Sequence, residues 1–578
     1  MCAALDTHLG SRHQVQADVV VLGSGGASLA GAVTASQAGL RVVVLERDAR
    51  FGGTSAISGG ALWIPMSRQA VAGGFRDSLD DVRTYLRHVL ADSYRPEIID
   101  AFLAHGPTAL AFLEDHTDLK YNVRALSPDY YPDLPGATTC GRALEMSEFD
   151  GRRLGEDFER LRPPPKGLMG FGGMMVNRID IGHFINMRRS PTSFLHLARL
   201  AMRFFVDRLR YSRGTRLVIG NAMVATLIKA ARDRGVEFRV ETQTTSFLVD
   251  ASGAVCGVVA RGADGRACEF LARGGVILGT GGLSRRRSVL ADRPDTGGDH
   301  LTMAAPFADG TMIEMAERQL GARVGGQLLG NFYWAPMSEV VYSDGTRETF
   351  PHIVTDRAKP GIIAVTDRGV RFVNEGNSYH RFVQAMLEEQ RRGASRFYLI
   401  ADDTALNRYG LGLVRPRPGL HRRLVANGYL IREPTIARLA RRLDIDARAL
   451  EATVHQFNQH AKRGVDPQFD RGGNAYDRSM GDAAAAHPSL APLGHPPFYA
   501  VQIVTGDLGS AKGLMTDREA RVLRADGSVI AGLYAVGTDM NSPVGGSYPG
   551  AGIVLGTGLT FGYVAARSIV ERCSTHGL

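Results

Sequence analysis

Asp18-Val-Val-Val-Leu-Gly-Ser-Gly-Gly-Ala-Ser28 decides how this chain folds. Asp18 to Leu22 is a short, mostly apolar run, the pattern of a buried parallel strand. Gly23 and Gly25 follow at once, and Ala27 to Ala38 reads as an alanine-rich helix that Gly39 ends. Arg41 to Leu45 is a second apolar strand with Glu46 at its close. The unit is therefore βαβ, and each part of its turn has a physical task. Gly23 permits the tight turn, and Gly25 lets backbone approach a pyrophosphate. The helix N-terminus offers free N–H groups and the positive end of a dipole, and Ser24, Gly26 and Ala27 are expected cofactor contacts. Glu46 can accept hydrogen bonds from ribose hydroxyls. Ser28 stands where the third glycine of such turns usually is, and it is small enough for close helix–strand packing.

Moving outward, Arg47-Asp-Ala-Arg-Phe-Gly-Gly-Thr-Ser55 and Ser58-Gly-Gly-Ala-Leu-Trp-Ile-Pro65 follow the second strand. Gly52, Gly53, Thr54, Ser55, Ser58, Gly59 and Gly60 form a glycine- and hydroxyl-rich stretch that can line an isoalloxazine ring, with Arg47 beside it. Gly275-Val-Ile-Leu-Gly-Thr-Gly-Gly282 is an apolar strand that breaks into Thr280, Gly281 and Gly282. It resembles the strand that returns to the cofactor in two-dinucleotide-fold flavoproteins. The expected cofactor is FAD.

Composition bounds the alternatives. A chain of 578 residues is long enough for more than one domain. Its 44% apolar content and 69 glycines fit an α/β protein with many tight turns. Five scattered cysteines contain no CxxC pair, so neither a metal site nor a disulfide framework is expected, and a reducing, cytoplasmic setting is. Met1 to Gln16 lacks an apolar core, so no signal peptide is read, and no apolar run reaches membrane-spanning length. The net charge of +9 comes without a basic stripe interleaved with aromatics, so nucleic acid is not an expected partner.

Several motifs together resemble a known family. They are Arg50-Phe-Gly-Gly-Thr-Ser-Ala56, Ser127-Pro-Asp-Tyr-Tyr-Pro132, Gly369-Val-Arg-Phe-Val-Asn-Glu375 with Tyr379, Asp507-Leu-Gly509, and Ser547-Tyr-Pro-Gly-Ala-Gly552. The chain resembles the 3-ketosteroid Δ1-dehydrogenases of the fumarate reductase/succinate dehydrogenase flavoprotein superfamily, except over roughly 163 to 215. The resemblance implies an α/β, Rossmann-like FAD domain of the two-dinucleotide-binding type, made from residues 1–326 and 496–578. An α+β catalytic domain is inserted at 327–495. It also implies that Tyr548 and the Gly552 backbone N–H polarise a ketone, that Tyr379 removes its α-proton, and that Tyr130 supports Tyr379. Gly537, Thr538, Asp539, Gly552 and Ile553 join the flavin contacts, although the family usually carries Asn directly after that first glycine. The implied activity is 1,2-desaturation of a 3-ketosteroid, with a quinone or other acceptor reoxidising the flavin. A Δ4-dehydrogenase, another cyclic-ketone dehydrogenase and a fumarate reductase-like enzyme are the alternatives. The last would need arginine clamps, for which Arg357, Arg371 and Arg381 are available. Phe332, Tyr333 and Trp334 are expected to form an apolar substrate face. A tyrosine base implies an alkaline optimum, because a phenol ordinarily ionises near 10.

The stretch that the resemblance leaves out contains Ser193 to Arg210. At helical spacing His196, Arg199, Arg203, Asp207 and Arg210 fall on one polar stripe opposite a broad apolar arc. Ser193 is a candidate cap, and Arg213 and Arg216 add charge beyond. A basic helix of this kind over 193–216 fits a peripheral membrane contact on the inner face, a contact between copies, or internal packing. The oligomeric state stays open.

Overall fold

The computed structural model describes residues 13–575 except 166–167, 171, 188–189, 287–299, 327–329 and 417–420. His13–Leu22 and Val42–Leu45 pair in parallel, and Glu237–Arg239 adds to the second of them. On the other side His13–Leu22 pairs with Ala267–Leu278, which pairs with Val529–Ala535. The first and last parts of the chain thus share one eight-stranded sheet. Val19 to Leu22 and Val42 to Leu45 are buried on both faces, which accounts for their unbroken apolar runs.

Two helices cover the centre of this sheet. Gly26–Gln37 follows the first turn, one residue earlier than the alanine pattern suggests. It packs on the closing helix Ile553–Thr575, where Gly31 and Gly562 allow the backbones to meet: a Cβ on Gly562 would lie 2.2 Å from the Ala27 carbonyl oxygen. The closing helix is long and apolar enough to cross a bilayer, yet most of it is buried in this core.

The inserted layer is a four-stranded antiparallel sheet in the order Ile362–Thr366, Phe397–Asp402, Phe498–Ile503, Ile431–Glu433. Alternate residues of its strands face two separate cores. Ile362 and Ala364 meet Phe382 and Met386 of helix Tyr379–Arg391, while Ile363 and Val365 meet Leu450, Val454 and Phe457 of helix Ala447–Lys462. Phe498–Ile503 lies in this sheet although it falls beyond residue 495.

The stretch missing from the resemblance forms helices Arg178–Asn186 and Pro191–Asp207. The cap of the second is Ser190, not Ser193; Ser193 is buried and meets His183. The polar stripe turns largely inward. His196 pairs with Asp180 at 2.8 Å, and the Asp207 carboxylate accepts from the backbone N–H and hydroxyl of Thr215. Arg216 pairs with the same Asp180, and Arg213 is buried against Asn221. The apolar arc faces outward instead: Phe194, Leu195, Met202, Phe205, Val206 and Leu209 are all more than half exposed.

Candidate active site

The turn after the first strand begins a strip of small, half-buried residues, the trench. Gly23 has φ +90°, and a Cβ there would lie 2.4 Å from the Gly279 oxygen, so the residue must be glycine for both reasons. Ser28 does more than fit: its hydroxyl donates to the Gly279 carbonyl at 3.1 Å, tying the first strand's turn to the returning strand. Glu46 accepts from the Ser24 N–H and hydroxyl at 3.0 and 2.6 Å and from the Asp48 N–H. Burial raises its pKa.

Ser55 and Thr54 brace the trench from the side, accepting from the backbone of Gly26 and Ala305. The Ser58 hydroxyl donates to the Ser55 carbonyl and accepts from the Gly60 N–H. Arg47 pairs with Asp309 at 2.8 Å. Asp539 is fully buried and holds the loop after the returning strand, accepting from Thr280 and from the Gly282 N–H.

Gly23, Gly25, Ala27, Gly53, Thr54, Ser55 and Ser58 remain half-buried amid fully buried neighbours, and so do Thr280, Gly281, Gly537, Thr538 and Gly552. Gly59 is exposed, while Gly52, Gly60 and Ile553 are buried behind the rim. A continuous strip of small residues beside a helix N-terminus and a carboxylate fits a dinucleotide.

The trench ends at a cluster of tyrosines. Tyr379 is the first residue of its helix, capped by Ser378. The Tyr130 hydroxyl donates to the Tyr379 hydroxyl at 3.1 Å. The ring of Tyr548 stacks on Tyr130 with centroids 5.3 Å apart and meets Tyr379 edge-on at 5.2 Å. Three residues far apart in the chain therefore converge, and all are buried. The hydroxyl of the neighbouring Tyr131 lies at Ser547 instead. Gly552 has φ +97°, and among the described residues its N–H has no hydrogen-bond partner. The turn from Tyr548 to Gly552 thus presents one hydroxyl and one free N–H.

Burial sets the electrostatics. It pushes the Tyr548 phenol up to about 12. It also raises Tyr130 and Tyr379, the latter with help from its phenol neighbours. His380 is held down at about 3 by burial and is neutral. The arginines do not form a dicarboxylate clamp. Arg371 is neutralised by Glu375 and Asp466 at 2.7 and 2.8 Å. Arg357 donates to the carbonyls of His352, Glu375 and Asn377. Arg381 lies over the Tyr131 ring.

Phe332-Tyr-Trp334 departs from expectation. As a strand it alternates, so Phe332 and Trp334 pack into the inserted sheet's core and Tyr333 alone meets the Tyr548 ring, at 5.5 Å. Tyr476, whose ring lies 5.1 Å from Tyr130, carried no sequence signal at all. Nor did Tyr85, which donates to the Pro549 carbonyl.

Residues 18–555 match the FAD-binding domain family. The chain is 36% identical to 4-oxocyclohex-2-ene-1-carboxylate 5-dehydrogenase of Sinomonas cyclohexanicum, over 97% of this chain and 95% of that protein. It is 33% identical to the 3-oxosteroid 1-dehydrogenase of Mycolicibacterium smegmatis, over 96% and 98% of the two chains. Among solved structures it superposes on the 3-ketosteroid Δ1-dehydrogenase of Sterolibacterium denitrificans in complex with 1,4-androstadiene-3,17-dione. The TM-score is 0.89 at 33% identity, covering 96% of this chain and all of that one. The protein is an FAD-dependent dehydrogenase, with the mixed helix/sheet flavoprotein fold those relatives share. It belongs to the FAD-binding domain family and, within it, to the family of the 3-ketosteroid Δ1-dehydrogenases and their cyclic-ketone relatives.

Proposed function

We propose that the protein desaturates a 3-ketosteroid at the 1,2 position. The observation that carries this reading is the convergence of Tyr130, Tyr379 and Tyr548 beside the unpartnered Gly552 N–H. A ketone oxygen between the Tyr548 hydroxyl and that N–H meets two donors aimed where negative charge develops, and losing one such donor typically costs about 3–4 kcal/mol. Polarisation acidifies the α-carbon. Tyr379 takes its proton, with the Tyr130 hydroxyl 3.1 Å from its oxygen to hold the phenol in place. FAD, when bound, accepts the hydride from the β-carbon. It would be held in the trench by the half-buried residues Gly23, Gly25 and Ala27, by Glu46 and Arg47, by Gly53, Thr54, Ser55 and Ser58, and by Thr280, Gly281, Gly537, Thr538 and Gly552, with Ser24, Gly26, Ser28, Gly52, Gly59, Gly60, Gly282, Asp539 and Ile553 shaping its walls. The flavin part spans residues 1–326 with the C-terminal portion, and the catalytic part runs from 327 through the strand ending at Ile503.

A quinone or comparable acceptor completes the cycle. The outward Phe194–Leu209 face, with Arg199, Arg208 and Arg210 exposed beside it, contacts an anionic bilayer surface, where an apolar substrate and a quinone both reside. The protein is then a cytoplasmic enzyme docked peripherally. The Sinomonas relative's name favours a second reading, a monocyclic keto acid as substrate.

Anaerobic mixing with androst-4-ene-3,17-dione, with 4-oxocyclohexanecarboxylate and with succinate separates the readings. Bleaching of the flavin band by the steroid is the expected result. Bleaching by the keto acid alone moves the substrate to the second reading, and bleaching by succinate alone overturns both.

A further inference from the structure

The two working sides of the site come from different loops, and their spacing has to be held. Tyr130 lies in the loop around Ser127–Pro132, and the carbonyl-polarising pair lies in Tyr548–Gly552. One carbonyl joins them. The Pro549 oxygen accepts from the Tyr130 N–H at 2.9 Å and from the Tyr85 hydroxyl at 2.6 Å. The same Tyr85 hydroxyl accepts from the Tyr131 N–H at 3.3 Å. A single buried phenol thus bridges both loops. It sits on helix Leu79–Leu90, whose backbone also supports the Tyr130 loop: a Cβ on Gly136 would lie 2.2 Å from the Asp81 oxygen.

A second brace runs through Trp63. The Trp63 indole donates to Asp129, the residue before Tyr130, at 2.9 Å. The other Asp129 oxygen accepts from Arg142 at 2.8 Å, and Arg142 is itself paired with Asp77. Gly550 rests directly on the indole: a Cβ there would lie 2.4 Å from Trp63 Nε1 and 3.2 Å from Asp129 Oδ1. Trp63 and Tyr85 are both fully buried. The indole and the phenol are neutral donors, so their influence on the reaction runs through geometry.

We propose that Tyr85 and Trp63 are positioning residues that lock the Tyr130 loop to the Tyr548–Gly552 turn, and so set the distance between the phenol that contacts the proton acceptor Tyr379 and the carbonyl-polarising side of the site. This rests on the ketone-desaturation reading above. It also accounts for the glycine at 550: the turn must lie flat on Trp63 before Gly552 can present its N–H.

The test uses the FAD-loaded enzyme with Tyr85→Phe and Trp63→Phe, each alone and combined with Tyr548→Phe. Displacing reacting groups by about 1 Å costs on the order of 100-fold. The limiting rate of flavin reduction by androst-4-ene-3,17-dione is therefore expected to fall ~10–100-fold in each single variant. The ketone's dissociation constant and the bound FAD should stay near wild-type. In the Tyr548→Phe background the further loss should shrink markedly, because the donor being positioned is already gone. Wild-type rates, a change confined to the dissociation constant, or fully additive losses would overturn the positioning role. If Tyr85→Phe does not accumulate as folded holoenzyme, Trp63→Phe carries the same readouts and decides the matter. A wild-type flavin that no ring ketone bleaches overturns the desaturation reading and this role with it. Normal wild-type bleaching with unaffected variants overturns only the role.

Discussion

The flavin trench and the tyrosine cluster adjoin one another, but they are built in opposite ways. The near wall of the trench is local: Gly23 to Gly25 form a turn into the helix that starts at Gly26, Glu46 closes the next strand, and glycines keep that wall low. The cluster is assembled from afar, with Tyr130, Tyr379, Tyr476 and Tyr548 delivered by four separate segments onto one point. One region is made by removing side chains and the other by bringing bulky ones together. Damage to the first should therefore cost colour, and damage to the second should cost rate.

The widest gap between the two is expected for Gly23→Val. Its side chain would meet the Gly279 oxygen in a backbone conformation closed to β-branched residues, so the purified protein should carry no FAD, read from its visible spectrum. Colourless but ketone-binding protein would sharpen the division; a fully yellow variant would break it. Next comes Tyr548→Phe, which should keep its full flavin content while reduction by the ketone slows ~100–1,000-fold, as for the loss of one oxyanion donor. Stopped-flow bleaching checks this, and loss of FAD instead would mean that the two regions are not separable.

The third expectation concerns pH. Burial raises the phenols of Tyr379, Tyr130 and Tyr548, so each holds its proton at neutrality and the competent base is scarce there. The rate of flavin reduction should rise with pH by up to about tenfold per unit on the alkaline side of neutrality, and FAD content should stay constant. A reduction rate that is flat or falls above neutrality would count against Tyr379 as base. The smallest effect belongs to the outer helix. Phe194→Glu with Leu209→Glu should weaken sedimentation with anionic vesicles by tenfold or more, since each buried apolar side chain is worth about 1.5–3 kcal/mol. Turnover of a water-soluble ketone should not change. Vesicle binding that survives both changes would remove the bilayer from the account.

The same local-versus-distant contrast explains what could be read from the chain. The trench was legible because its physics is written in neighbouring residues, and even Ser28, a departure from pattern, proves to be a donor across the returning strand. Tyr130, Tyr379 and Tyr548 were visible only through family motifs. Tyr476 and Tyr85 were invisible, since nothing local marks a tyrosine whose partner lies hundreds of residues away. Periodicity separated a polar stripe from an apolar arc on helix Pro191–Asp207 but left open which of them packs against the protein. His196 and Asp207 turn inward because Asp180, Arg216 and Thr215 await them there, and no helical wheel contains those partners. The inserted sheet's reach to Ile503 was hidden for a similar reason: a strand's membership is decided by its pairing.

The contact between Gly562 and the Ala27 backbone has a consequence for how the protein is made. The turn after the first strand is made long before the strand Val529–Ala535 and the helix Ile553–Thr575 that complete its surroundings. Until those two arrive, a growing chain carries that turn on an open, apolar half-sheet.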